Sequence, residues 1–80
     1  MKYVYLLESI FNPRQVYTGP ADDLRNRLKD HNAGESVHTR KFKPWRLVTY
    51  IALSDEIKAV SFEQYLKSGS GRAFAKKRLR

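Results

Sequence analysis

Four polar side chains stand where a small protein should want a dry core. Tyr5 and Tyr17 lie twelve residues apart, within Tyr3-Val4-Tyr5 and Val16-Tyr17-Thr18-Gly19, and Arg27 and His31 follow one helical turn apart in Leu24-Arg25-Asn26-Arg27-Leu28-Lys29-Asp30-His31. A helix turns by about 100° per residue, so Leu24, Arg27, Leu28 and His31 share one face and Arg25, Asn26, Lys29 and Asp30 take the other. A guanidinium and an imidazole on the face that packs against a sheet need an anionic partner, a substrate or a route to water. With two phenols they make an anion-binding, proton-transferring set. The alternatives are ordinary half-buried strand tyrosines, an Arg27 that extends past Leu28 to solvent, and a His31 that serves the helix C-terminal dipole.

The chain must supply elements that hold those groups. Tyr3 to Glu8 reads as a strand, Ser9 to Arg14 with Asn12-Pro13 as a turn, and Gln15 to Gly19 as the returning strand of a hairpin. Tyr3, Tyr5 and Leu7 then share a face, and Tyr17 takes that face or its opposite according to register. Pro20-Ala21-Asp22-Asp23 reads as a helix entrance, and the helix runs to about Asn32 and stops at Ala33-Gly34. Glu35 to Pro44 is polar and basic and reads as a loop, and Trp45 to Leu53 as a third strand, with Trp45 in the core. Ser54-Asp55-Glu56 opens a second helix carrying Ala59, Phe62 and Leu66 on one stripe. Ser68-Gly69-Ser70-Gly71 breaks it, and Arg72 to Leu79 forms a short basic helix anchored by Phe74. The order ββαβα plus a terminal helix defines one α+β domain over residues 1–80, layered in two or more.

Composition narrows the partners. Eighty residues permit one modest core. The absence of cysteine excludes a disulfide scaffold and thiolate metal sites and fits a reducing, cytoplasmic compartment. No apolar run approaches a membrane span, so no membrane partner is expected. Sixteen Lys and Arg against eight Asp and Glu leave a formal +8, which favours a polyanion, nucleic acid first. His38, Thr39, Arg40, Lys41 and Lys43 form a basic loop. Lys67, Arg72 and Lys76, with Lys77, Arg78 and Arg80, form a basic end; both clusters suit phosphate contacts that position without reading sequence.

Together these residues resemble the GIY-YIG nucleases. Tyr3-Val4-Tyr5 followed by Tyr17-Thr18-Gly19 is similar to the family's paired tripeptides. The helix with Arg27 and His31, Asn32-Ala33-Gly34, the stretch Lys43 to Val48 and the stretch Phe62 to Arg72 look like its small single-domain bacterial members. The resemblance covers nearly the whole chain, in order. It implies a metal-dependent nuclease on a three-stranded antiparallel sheet flanked by helices. It also implies family tyrosines at Tyr5 and Tyr17, the helical arginine at Arg27, the frequent histidine at His31 and the metal-binding glutamate at Glu63. Tyr3 in place of the first glycine, Thr18 in place of the middle isoleucine and Pro20 after the second motif are departures.

The chemistry implied is phosphodiester hydrolysis. Glu63 would hold Mg²⁺ or Mn²⁺, which binds through one or two carboxylates plus phosphate. Arg27 would clamp the scissile phosphate. Tyr5, its pKa lowered by the arginine and the metal, would be the general base, Tyr17 would position phosphate or water, and His31 would share or relay the proton. Glu63 and Lys67 also stand in the favourable order for a surface ion pair, the plainest alternative to a metal site. The expectation is an endonuclease acting on nucleic acid, DNA before RNA, with low or structure-based specificity and a possible protein partner to supply more. The alternative is a nucleic-acid-binding module on the same fold, without turnover or dependent on a partner.

Overall fold

Val4, Tyr5, Leu6 and Leu7 are consecutive and none is more than 1% exposed. A strand buried on both faces is the geometry that permits this, because successive side chains point to opposite sides. The structure, a computed structural model, describes all 80 residues. It places this segment, β1 (Lys2–Ser9), at the centre of a three-stranded antiparallel sheet. β2 (Val16–Ala21) and β3 (Trp45–Leu53) flank it in the order β2-β1-β3.

The two faces carry separate cores. Tyr5 and Leu7 pack with Ala21, Trp45, Tyr17, Leu24, Leu28, Phe42 and Leu47. Val4 and Leu6 pack with Ala59, Leu66, Ala75, Phe62 and Leu79. Helix α1 (Leu24–Ala33) covers the first face, and α2 (Glu56–Lys67) and α3 (Gly69–Arg78) cover the second. The result is an α+β fold of three layers. A fully buried Leu or Val contributes about 1.5–3 kcal/mol here, so a core this small depends on each of them.

Register settles the face of Tyr17. Leu7 pairs with Tyr17 and Tyr5 with Gly19 across β1 and β2, so both tyrosines project toward α1. On the other side of β1, the partners of Leu6 and Leu7 are Thr49 and Leu47, a bulge that leaves Val48 unpaired and packed into the second core.

The helix ends follow local chemistry. Asp23 caps α1 by accepting from the Asn26 N–H at 3.1 Å, and Gly34, at φ 81°, closes it in the left-handed conformation. Asp55 caps α2 in the same way.

Three boundaries and one anchor differ from expectation. Pro20 and Ala21 belong to β2, not to a helix entrance; β2 is an edge strand, where an exposed proline without an N–H is tolerated. The Ser68–Gly71 segment is not a break of four residues. Ser68 alone ends α2 and begins α3, donating to the Tyr65 carbonyl at 2.6 Å and accepting from the Gly71 N–H at 3.1 Å. Gly71 is needed for contact, since a β-carbon there would lie 1.7 Å from the Tyr65 carbonyl oxygen. Phe74 is 39% exposed against Tyr65, and α3 is anchored instead by Gly71 and Ala75. Within the expected loop, Arg40–Phe42 forms a 3-10 turn.

Candidate active site

The site is assembled at the β2 side of the sheet. Tyr5 comes from the central strand and points across Gly19, whose missing side chain leaves the room. A β-carbon there would lie 2.9 Å from the Tyr5 hydroxyl and 2.8 Å from the Tyr17 ring. The Tyr17 ring lies 5.0 Å from the His31 ring and 6.2 Å from that of Tyr5, centroid to centroid. Helix α1 presents His31, fully buried, to the same point.

A hydrogen-bonded chain links the buried groups. The Tyr5 hydroxyl lies 2.8 Å from His31 Nε2, and His31 Nδ1 lies 2.6 Å from the Thr39 hydroxyl. All three residues are buried completely. The sequence marks Thr39 only as a member of the basic loop suited to phosphate contacts; the structure buries it completely against His31 instead. Its placement follows from that loop's folding. The Trp45 indole N–H donates to the Thr39 carbonyl at 2.8 Å, and Asn32 bonds both the N–H and the carbonyl of Trp45.

The charges act on one another. Burial pushes the Tyr5 phenol above its ordinary pKa of 10.0; the Arg27 guanidinium pulls it down, while Tyr17 and Glu63 add to the rise. The expected lowering of Tyr5 by Arg27 is thus outweighed by burial in the protein alone. Tyr5 chiefly, then Tyr17 and Asp30, strengthen the positive charge of Arg27. Burial, then the Arg27 charge, lowers His31 below 6.5 against a smaller opposing effect of Asp30, so its imidazole is neutral at pH 7. The Arg27 side chain is 39% exposed and 3.8 Å from Asp30. It is neither a buried structural cation nor free in solvent, but a half-open group beside the phenols.

Glu63 comes from α2, and its charge registers at the Tyr5 hydroxyl. Its side chain is 12% exposed and pairs with Lys67, the ion pair that stood as the alternative to a metal site. No group of three His, Asp or Glu side chains clusters anywhere in the chain. The donor set at Glu63 is therefore a single carboxylate. Mg²⁺ fits such a set, because it keeps several waters and takes substrate phosphate among its ligands. The Lys67 ammonium occupies a cation position at that carboxylate, on a flexible stem that can withdraw.

The basic residues divide. Arg14, Lys67, Arg72 and Arg80 line a groove of about 460 Å³ between β2 and the α2–α3 pair, with Tyr17 and Thr18 in its wall. The groove shares Tyr17 and Lys67 with the site. Arg14 was missed as a binding residue because only the hairpin carries it alongside α3. His38, Arg40, Lys41 and Lys43 lie on the loop and 3-10 turn beside α1, away from the groove; Lys41 sits over the Phe42 ring at 5.5 Å. Lys76 is exposed on α3 and does not line the groove. No helix is long and apolar enough to cross a membrane.

A small three-layer α+β domain with paired strand tyrosines facing a helical Arg and His defines a class. The chain belongs to the GIY-YIG family, whose catalytic-domain model matches residues 1–78. Among similar proteins is a UPF0213 protein of Haloquadratum walsbyi, 36% identical over 82% of this chain and 73% of its own length. Another is the structure-specific endonuclease subunit SLX1 of Candida dubliniensis, 35% identical over 80% of this chain. The match spans only 25% of the length of the Candida protein. The solution structure of the UPF0213 protein BH0048 from Bacillus halodurans superposes with a TM-score of 0.57 at 33% identity, over 96% of this chain and 82% of that one.

Proposed function

We propose that this chain is a divalent-metal-dependent endonuclease that hydrolyses phosphodiester bonds in nucleic acid, DNA first, choosing its substrate by structure more than by sequence. The observation that carries this reading is the Tyr5 hydroxyl held 2.8 Å from His31 Nε2, beside the half-open Arg27. A phenol locked by a buried imidazole, with a cation at its edge, is more than packing requires. The name of the Candida relative, a structure-specific endonuclease subunit, supports both the reaction and a partner that supplies specificity.

Glu63 is the residue that would hold the metal, with Lys67 moving aside. When bound, the metal would neutralise charge on the phosphoryl oxygens. Arg27 binds the non-bridging oxygens of the scissile phosphate and stabilises the charge that grows on them. Tyr5, once deprotonated, accepts a proton from the attacking water on its phenol oxygen. Tyr17 orients that water or the phosphate. The groove beyond Tyr17 holds the flanking phosphates on Arg14, Lys67, Arg72 and Arg80. A phosphate-held backbone read by four cations carries no base information, hence the low sequence specificity.

The test is cleavage of labelled intact, nicked, flapped, branched and single-stranded DNA, and of RNA, with Mg²⁺ and with Mn²⁺. Cut product from at least one structure, dependent on the metal, is expected. Salt-sensitive binding without product from any of them would make the chain a binding module instead.

A further inference from the structure

We infer that Lys67 couples the two ligands of the site. In the free protein its ammonium takes the place of a metal at Glu63; nucleic-acid phosphate entering the groove draws it away and opens that carboxylate to a divalent cation. The inference rests on the reading of Glu63 as the metal carboxylate and adds the condition under which it loads. Lys67 is the one residue that belongs to both places. Its ammonium pairs with the Glu63 carboxylate, and its side chain lines the groove with Arg14, Arg72 and Arg80. Exposure decides which partner moves. The Glu63 side chain is 12% exposed and that of Lys67 51%. The carboxylate is held, and the ammonium rides on a flexible four-carbon stem.

Charge compensation makes the two binding events cooperative. No carboxylate lines the groove, and Arg14, Arg72 and Arg80 form no ion pair anywhere in the chain. Lys67 is therefore the one groove cation that the protein itself neutralises. A metal at Glu63 without phosphate would release Lys67 toward three unneutralised arginines. Phosphate on Lys67 without a metal would leave the Glu63 carboxylate with no cation. Sharing of that carboxylate by the ammonium and a divalent ion is opposed by their mutual repulsion. With both ligands present, Lys67 has phosphate, Glu63 has metal, and no charge is left alone. Linkage then requires each ligand to tighten the other. The free protein keeps its metal site closed, and the cation loads on the complex.

The experiment is Mn²⁺ binding at low salt, read from the electron paramagnetic resonance of the free ion. It compares a Tyr5→Phe parent, in which added DNA stays whole, with the same parent carrying Lys67→Met, Arg72→Gln or Glu63→Gln. Lys67 is exposed in the last turn of α2, so its replacement leaves both cores untouched. Without DNA, Lys67→Met should bind Mn²⁺ at least about fivefold more tightly than the parent. Arg72→Gln, which removes a groove charge that touches no carboxylate, should change the affinity far less, and Glu63→Gln should weaken it. A saturating short single-stranded DNA, with Glu63→Gln as the baseline for ions held by the strand alone, should tighten Mn²⁺ on the parent by at least about fivefold and on Lys67→Met by less. Equal affinities of Lys67→Met and the parent, equal gains in Lys67→Met and Arg72→Gln, or an equal DNA effect with and without Lys67 would each overturn the coupling while a weakened Glu63→Gln keeps the metal site. A Glu63→Gln variant that binds Mn²⁺ like the parent would remove the metal site and the coupling together.

Discussion

The Tyr5 hydroxyl lies 2.9 Å from the point that a β-carbon on Gly19 would occupy. The glycine of the second motif is thus a space reserved for the phenol of the first, in direct register across β1 and β2. The same point would lie 2.8 Å from the Tyr17 ring. Both tyrosines are part of the β1–α1 core, so neither can withdraw freely.

Gly19→Ala should therefore move Tyr5 off His31. Overpacking of this kind costs about 1–3 kcal/mol of stability, and a misplacement of about 1 Å costs roughly 10²-fold in rate. Thermal melts and single-turnover cleavage of the variant measure the two effects separately. Unchanged turnover in Gly19→Ala would show that the tyrosine's position does not govern the reaction.

Cleavage should accelerate with pH through the neutral range. Burial raises the Tyr5 pKa, so the phenol is protonated at pH 7 and its phenolate fraction grows about tenfold per pH unit below that pKa. Log kcat against pH should rise with a slope near one, and Tyr5→Phe should abolish turnover. A bell centred below pH 6, or a Tyr5→Phe enzyme that retains its rate, would assign the base elsewhere.

Acid should destabilise the fold through His31. Its folded pKa lies below the ordinary 6.5, so the folded state binds fewer protons than the unfolded one. The stability is full above pH 6.5 and is lost as pH falls toward the folded value, at up to about 1.4 kcal/mol per pH unit. Urea midpoints at pH 7.5, 6.5 and 5.5 should fall in that order. His31→Asn should be less stable at pH 7.5 and flatter across the series.

Binding should depend on the groove more than on the basic loop. Arg72→Gln, in the groove wall, should reduce the slope of log K against log salt by about one. Arg40→Gln, on the 3-10 turn beside α1, should change it less. Equal effects would place the nucleic acid across both surfaces.

Much of this was legible because it is local. Asp23 and Gly34 bound α1 by capping chemistry written in adjacent residues, and the aromatic and aliphatic run of β1 marked it as a strand, though not as the central one. Arg27 and His31 were found because their spacing contradicts the face they occupy. Pro20 misled, since its tolerance in β2 depends on that strand being an edge, a property of the whole sheet. Gly71 was mistaken for a breaker because its close contact with Tyr65 exists only once α2 and α3 meet. Nothing marked Thr39 as a buried partner of His31, and Arg14 carried no signal at all. One is buried by a tryptophan six residues on, the other brought to α3 by a hairpin, and neither event leaves a periodic trace in the chain.

Glu63→Gln tests the central claim most directly. The substitution keeps the shape of the side chain and removes the charge that would hold the metal, together with its ion pair to Lys67. Cleavage by purified Glu63→Gln should fall to background under Mg²⁺, while its metal-free binding of the same nucleic acid stays close to that of wild type. Undiminished cleavage by Glu63→Gln, with contaminating nuclease excluded by an inactive Arg27→Ala preparation made in parallel, would contradict the mechanism.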